Sequence, residues 1–96
     1  MVPFSFPSPE GEFFADEDVL TVLTARVILY DDSWHTFDEV IDQLVLATGC
    51  SFGKAESITH EVHNNGKAVA YEGDMGECIR VSTVLEEIGL NTQIEM

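Results

Sequence analysis

One phrase of this chain, VILYDDSWHTFDEVIDQL at residues 27–44, constrains the fold more than any other. The run RVILY (residues 26–30) is dominated by apolar and β-branched side chains, the pattern of a strand. Thr36 and Glu39 have the spacing of a capping box, and Asp38 adds a charge that suits the start of a helix dipole. Phe37, Val40, Ile41, Leu44 and Val45 then recur at the helical period and share one face. A strand and a helix that must both bury apolar surface are therefore joined by a short turn carrying two carboxylates, Asp31 and Asp32. Such a turn is placed to meet a cation beside a hydrophobic surface.

The remaining punctuation completes an architecture. Gly49 ends the first helix, and Ser51 can cap a second with Ala55, Ile58, Thr59 and Val62 on its inner face. Asn64, Asn65 and Gly66 tolerate the left-handed backbone that stops it. Residues 67–71 read as a strand, and Asp74 can cap a third helix with Cys78, Val81, Ser82, Leu85 and Ile88 turned inward. Gly89 closes that helix, and residues 92–95 form a last strand. The expected fold is α+β, a single β-α-α-β-α-β domain over residues 24–96 with three helices packed on a small three-stranded sheet. Residues 1–23 differ in kind. Pro3, Pro7 and Pro9 break any periodicity among five acidic residues, so a flexible N-terminal extension is expected there. Its four phenylalanines (Phe4, Phe6, Phe13 and Phe14) imply packing on the domain or docking on a partner, and residues 19–24 belong to the extension or lengthen the first strand.

Charge then limits the partners. With 18 acidic against 4 basic residues the formal net charge is -14, which repels phosphate backbones and argues against nucleic-acid binding. The same excess attracts cationic partners, or serves solubility alone. Cys50 and Cys78 form neither a CxxC motif nor a disulfide framework. The first cationic residue is Arg26, so no targeting segment is indicated, and no apolar run suits a bilayer. A cytoplasmic protein without membrane association is expected.

Three chemistries compete for the polar residues. Asp31 and Asp32 can be solvated turn residues; acid–base catalysis is the poorer reading, because adjacent carboxylates on a turn seldom converge on one bond and no nucleophile accompanies them. An enzyme is therefore not expected. His60 and His63 have HxxH spacing, but a zinc site would need a further ligand from Asp31, Asp32 or His35, so no cofactor is expected. His63 can also simply cap its helix. The sharper reading sets the acidic turn beside the end of the second helix. Two carboxylates and an imidazole would then offer acceptors to an α-ammonium group, while Phe37, Val40, Thr59 and Val62 wall in one apolar side chain.

The chain resembles the ClpS family, adaptors that deliver proteins bearing destabilising amino-terminal residues (N-degrons) to a Clp AAA+ chaperone–protease. The resemblance rests on VILYDDSWHTFDEVIDQL, which follows the family's strand–NDD–turn–helix phrase, and on EVHNNGKA, which follows its helix-ending VH-x-x-GKA. It implies that Asp31, Asp32 and His63 hold the substrate's α-amino group. It further implies a gate at Phe37, usually methionine in the family, and a side-chain pocket at Val40, Thr59, Val62 and Leu90. Asp31 stands where the family has asparagine, Ser33 where it has a second aspartate, and Thr59 where methionine is common. The chaperone contact falls on Glu77 and Arg80, and the implied partners are N-degron peptides and a ClpA- or ClpC-type chaperone, met by a free monomer. The departures leave open a ClpS-like chaperone-binding module with lost or altered N-degron specificity.

Overall fold

A computed structural model describes residues 20–96. The expected extension at residues 1–23 lies almost wholly outside the described residues. Residues 20–22 form a helical turn, and the first strand begins immediately after Leu23.

The described elements run β1 (Thr24–Tyr30), α1 (Phe37–Thr48), α2 (Phe52–Asn65), β2 (Lys67–Asp74), α3 (Met75–Glu86) and β3 (Thr92–Glu95). This is the expected β-α-α-β-α-β order. The sheet has β1 in the centre, flanked by β2 and β3, and both pairings are antiparallel. Two strands are longer than the apolar pattern implies. Thr24 and Ala25 extend β1, and residues 72–74 extend β2, because Thr24, Ala25 and Arg26 pair with Asp74, Gly73 and Glu72. A polar strand end is stable when a neighbour satisfies its backbone, whatever its side chains are. A bulge at Val27/Ile28 shifts this register. On the far side of it Leu29 pairs with Ala68, and both side chains belong to the core.

The helices form where their caps dictate. Thr36 Oγ1 accepts from Glu39 N at 3.1 Å while Glu39 Oε1 accepts from Thr36 N at 2.8 Å, a complete capping box. Ser51 and Asp74 accept from the third residues of α2 and α3. Gly49 and Gly66 terminate α1 and α2 with φ of 72° and 86°, values that strain any residue with a Cβ.

The core gathers Ala25, Val27 and Leu29 of β1 with Leu44, Ala55, Ile58, Val81 and Leu85 of the helices. The inner face of α1 differs in detail from the expected one. Gln43 and Ala47 are buried, whereas Phe37 and Val45 are only partly so. Burial of Gln43 is tolerable because its side-chain amide donates to Val84 O at 2.7 Å. Ile88 is another correction: α3 ends at Glu86, and Ile88 packs on the core from the turn that follows.

The capping box fixes where the acidic turn ends and the core helix begins. Thr36→Ala should lower stability by about 0.5–2 kcal/mol. Chemical denaturation would measure this, and an unchanged unfolding midpoint would show the box to be dispensable.

Candidate functional site: an acidic rim over an apolar cavity

The C-terminal end of β1 leaves the sheet between two other parts of the chain. Tyr30 N donates to Asn91 O at 3.0 Å, and Asp31 N donates to Gly66 O at 2.9 Å. These bonds bring the acidic turn beside both the end of α2 and the segment leading into β3. A cavity of about 170 Å³ opens there. Leu29, Phe37, Val40, Thr59, Val62 and Leu90 form its apolar part, while Asp31, Asp32, Ser33, His35 and His63 line its polar part. The structure thus brings Phe37, Val40, Thr59 and Val62 to one cavity, with Leu90 reaching it from beyond α3. Thr59 is 3% exposed, and its hydroxyl donates to Ala55 O at 2.8 Å within the helix, so its proton is not directed at the cavity.

The polar residues occupy three different situations. Asp31 is part-exposed, with 38% of its side chain accessible, and its Oδ1 lies 4.0 Å from Nδ1 of His63. His63 is 60% exposed and makes an edge-on ring contact with Phe37 at 5.2 Å. His60 contacts the same ring at 5.0 Å, so Phe37 stands at the rim against two imidazoles. The cap of α2 is Gly66, whose N–H donates to Val62 O. His63 is thus set toward the cavity rim by its place on the last turn of α2.

Asp32 is not a solvated turn residue. Its Oδ1 accepts from the backbone N–H groups of Trp34 (3.1 Å) and His35 (2.9 Å), and its Oδ2 lies 2.6 Å from His35 Nδ1. The other ring nitrogen of His35, Nε2, lies 2.6 Å from the carbonyl oxygen of Ile88. Only 4% of the His35 side chain and 11% of that of Asp32 is accessible. Trp34 stacks on the His35 ring at 3.9 Å and reaches over Gly89, whose φ of 87° turns the chain there. By its place in the sequence His35 is only a possible zinc ligand. Spacing could not reveal its role, since the carbonyl it meets is 53 residues away. Among the described residues no group of three or more His, Cys, Asp and Glu side chains converges as a metal site.

Burial pushes the Asp32 carboxyl upward, but the hydrogen bonds from the His35 backbone, the His35 ring and the Trp34 backbone outweigh it, and its pKa falls below 3.8. Burial likewise pushes His35 downward, but the bonds to Asp32 and Ile88 outweigh it, and its pKa rises above 6.5.

Glu77 and Arg80 lie on the first turns of α3, where Arg80 Nε donates to Glu77 Oε1 at 3.0 Å and both side chains remain half-exposed. They are separate from the cavity lining.

The buried pair implies a window of stability. A raised histidine contributes fully below its unfolded value of 6.5 and loses the contribution as pH rises through its folded value. A lowered aspartate contributes fully above its unfolded value of 3.8 and loses the contribution as pH falls through its folded value. The stability lost in His35→Gln should thus be greatest between pH 3.8 and 6.5 and shrink on either side. Thermal unfolding across pH would test it, and a loss that does not vary with pH would exclude the pair as its source.

The family model for ClpS, ATP-dependent Clp protease adaptor protein ClpS, matches residues 23–92. Among solved structures, ClpS2 of Agrobacterium tumefaciens bound to L-phenylalaninamide superposes with a TM-score of 0.70 at 17% identity, covering 75% of this chain and 94% of that one. No curated protein sequence matches the chain.

Proposed function

We propose that this chain, which belongs to the ClpS family, binds the free α-amino group and bulky apolar side chain of N-degron substrates and delivers them to a Clp chaperone–protease. The observation that carries this reading is the meeting of an acidic rim and an apolar cavity at the end of β1. An α-ammonium group brings three donors and one positive charge. Asp31, Asp32 and the His63 ring can accept those donors, and charge-assisted bonds of this kind are the strong ones. The adjoining side chain would enter between Phe37, Val40, Thr59, Val62 and Leu90, where burial of apolar surface adds to affinity. The L-phenylalaninamide held by the Agrobacterium protein has the same two parts, a free amine and a benzyl side chain.

The partner follows from the family. A Clp chaperone of the ClpA or ClpC type would receive the substrate, with Glu77 and Arg80 on α3 as the contact surface. That surface lies apart from the cavity, so the two partners can be held together.

Fluorescence anisotropy with short peptides differing only in the first residue (Phe, Leu, Ile or Ala) tests the reading, with an N-acetylated Phe peptide as control. Phe or Leu peptides should bind, and acetylation should weaken them more than about tenfold, since it removes charge-assisted bonds of about 1.5–3 kcal/mol each. Equal affinity for free and acetylated peptides would refute an ammonium site. If no peptide binds while a Clp chaperone does, the chain is a chaperone-binding module of altered specificity.

A further inference from the structure

The proposed ammonium site holds more charge than a single ammonium requires. Asp31 and Asp32 are adjacent, and two bare carboxylates at one rim would repel each other. The geometry resolves this through His35. A backbone carbonyl can only accept, so the 2.6 Å contact with Ile88 O requires a proton on His35 Nε2. The 2.6 Å contact with Asp32 Oδ2 places a second proton on Nδ1, because an Asp32 that already accepts two backbone N–H bonds on Oδ1 is held as a carboxylate. A ring donating from both nitrogens is an imidazolium. The charged groups acting on it are Asp32 from the turn and Glu39 from α1, while the segment after α3 offers only the neutral Ile88 carbonyl. The Trp34 face at 3.9 Å suits a cation as well.

We propose that His35 sets the charge of the recognition site: it neutralises Asp32 in a buried ion pair and leaves Asp31 as the carboxylate whose charge selects a free α-ammonium group. This rests on the N-degron reading above and assigns its roles. Asp32 and His35 together carry no net charge, and their side chains are nearly inaccessible. Asp31 is the accessible carboxylate beside His63. The Asp31 carboxylate, with His63 at 4.0 Å beside it, then faces one positive charge. His35 acts through Asp32 and is a positioning residue, whereas Asp31 touches the ligand. The resemblance to the family implies that Asp31, Asp32 and His63 hold the α-amino group together; the buried partner of Asp32 divides the roles of the two carboxylates.

A charge-rescue experiment tests the proposal, using the full chain and a peptide with a free amino-terminal Phe. Asp31→Asn keeps an acceptor but leaves a site without net charge, and should weaken binding about tenfold or more, the effect of losing a charge-assisted bond. Adding His35→Gln to that variant frees the Asp32 charge and should restore a substantial part of the lost affinity. If His35 served the fold alone, the double variant would bind no better than Asp31→Asn, and that result would overturn the proposal. So would an Asp31→Asn variant that binds like the wild type. Wild-type protein that ignores acetylation of the peptide would overturn the N-degron reading itself and this assignment with it. A readout independent of peptide and of the folding of variants is the nitrogen NMR spectrum of the wild-type His35 ring. At pH 6.5, where an unperturbed imidazole is half protonated, His35 should carry protons on both nitrogens. A ring with a single protonated nitrogen would overturn the proposal.

Discussion

The site depends on how the central strand ends. Flanking strands pair with β1 as far as Tyr30 on one side and Leu29 on the other, and the N–H groups of Tyr30 and Asp31 must find acceptors where the chain leaves the sheet. Asn91 and Gly66 supply them. Gly66 is the residue that terminates α2, and Asn91 follows the turn after α3. The need to pair two backbone groups therefore draws the last turn of α2, the acidic turn and Leu90 to one place. Every wall of the cavity is set by that convergence, because each element arrives with its side-chain direction already determined by its own cap or register.

A second constraint acts within the turn. Asp32 closes a small loop by accepting two backbone N–H groups, and His35 ties that loop to the segment after α3 through its ring. Buried ion pairs often contribute little net stability, because desolvation offsets the attraction. This pair is better understood as a fixed strut: it orients a carboxylate and a ring that both line the cavity. The indole of Trp34 covers its outer side. Rigid groups around a small cavity lose little freedom on binding, which favours recognition of a short ligand.

The acidic surface fits the same picture. A net charge of -14 raises the local concentration of cationic groups, which under the proposed function would steer an amino terminus toward the rim. Discrimination must come from the site, since a diffuse field cannot tell a lysine side chain from an α-amino group. Under the proposed function the adjoining cavity would make that distinction, because only an amino terminus places its own first side chain within reach of Val40, Val62 and Leu90. Thr59 keeps the same floor compact without directing its hydroxyl proton into it.

Local signals made most of the fold legible. Thr36 with Glu39, Ser51, Asp74, Gly49 and Gly66 each specify a helix end through short-range chemistry, and all act as their sequence context implies. The cavity residues Phe37, Val40, Thr59 and Val62 were legible for the same reason, since helical periodicity puts them on known faces. Strand ends were not, because Glu72, Gly73 and Asp74 join β2 only by pairing with β1. Nor was the lodging of Ile88 in a turn, which the end of α3 decides. His35 is the clearest divide. Its sequence neighbourhood proclaims an exposed turn, yet the ring is buried because Ile88 O and Asp32 Oδ2 stand on either side of it. Caps and periodicity act over a few residues, so local pattern already sets the starts of all three helices, the ends of α1 and α2 and the apolar faces that carry Phe37, Val40, Thr59 and Val62. Which of the two adjacent carboxylates is buried against His35 is settled by folding, since it depends on a contact across 53 residues that no local pattern encodes.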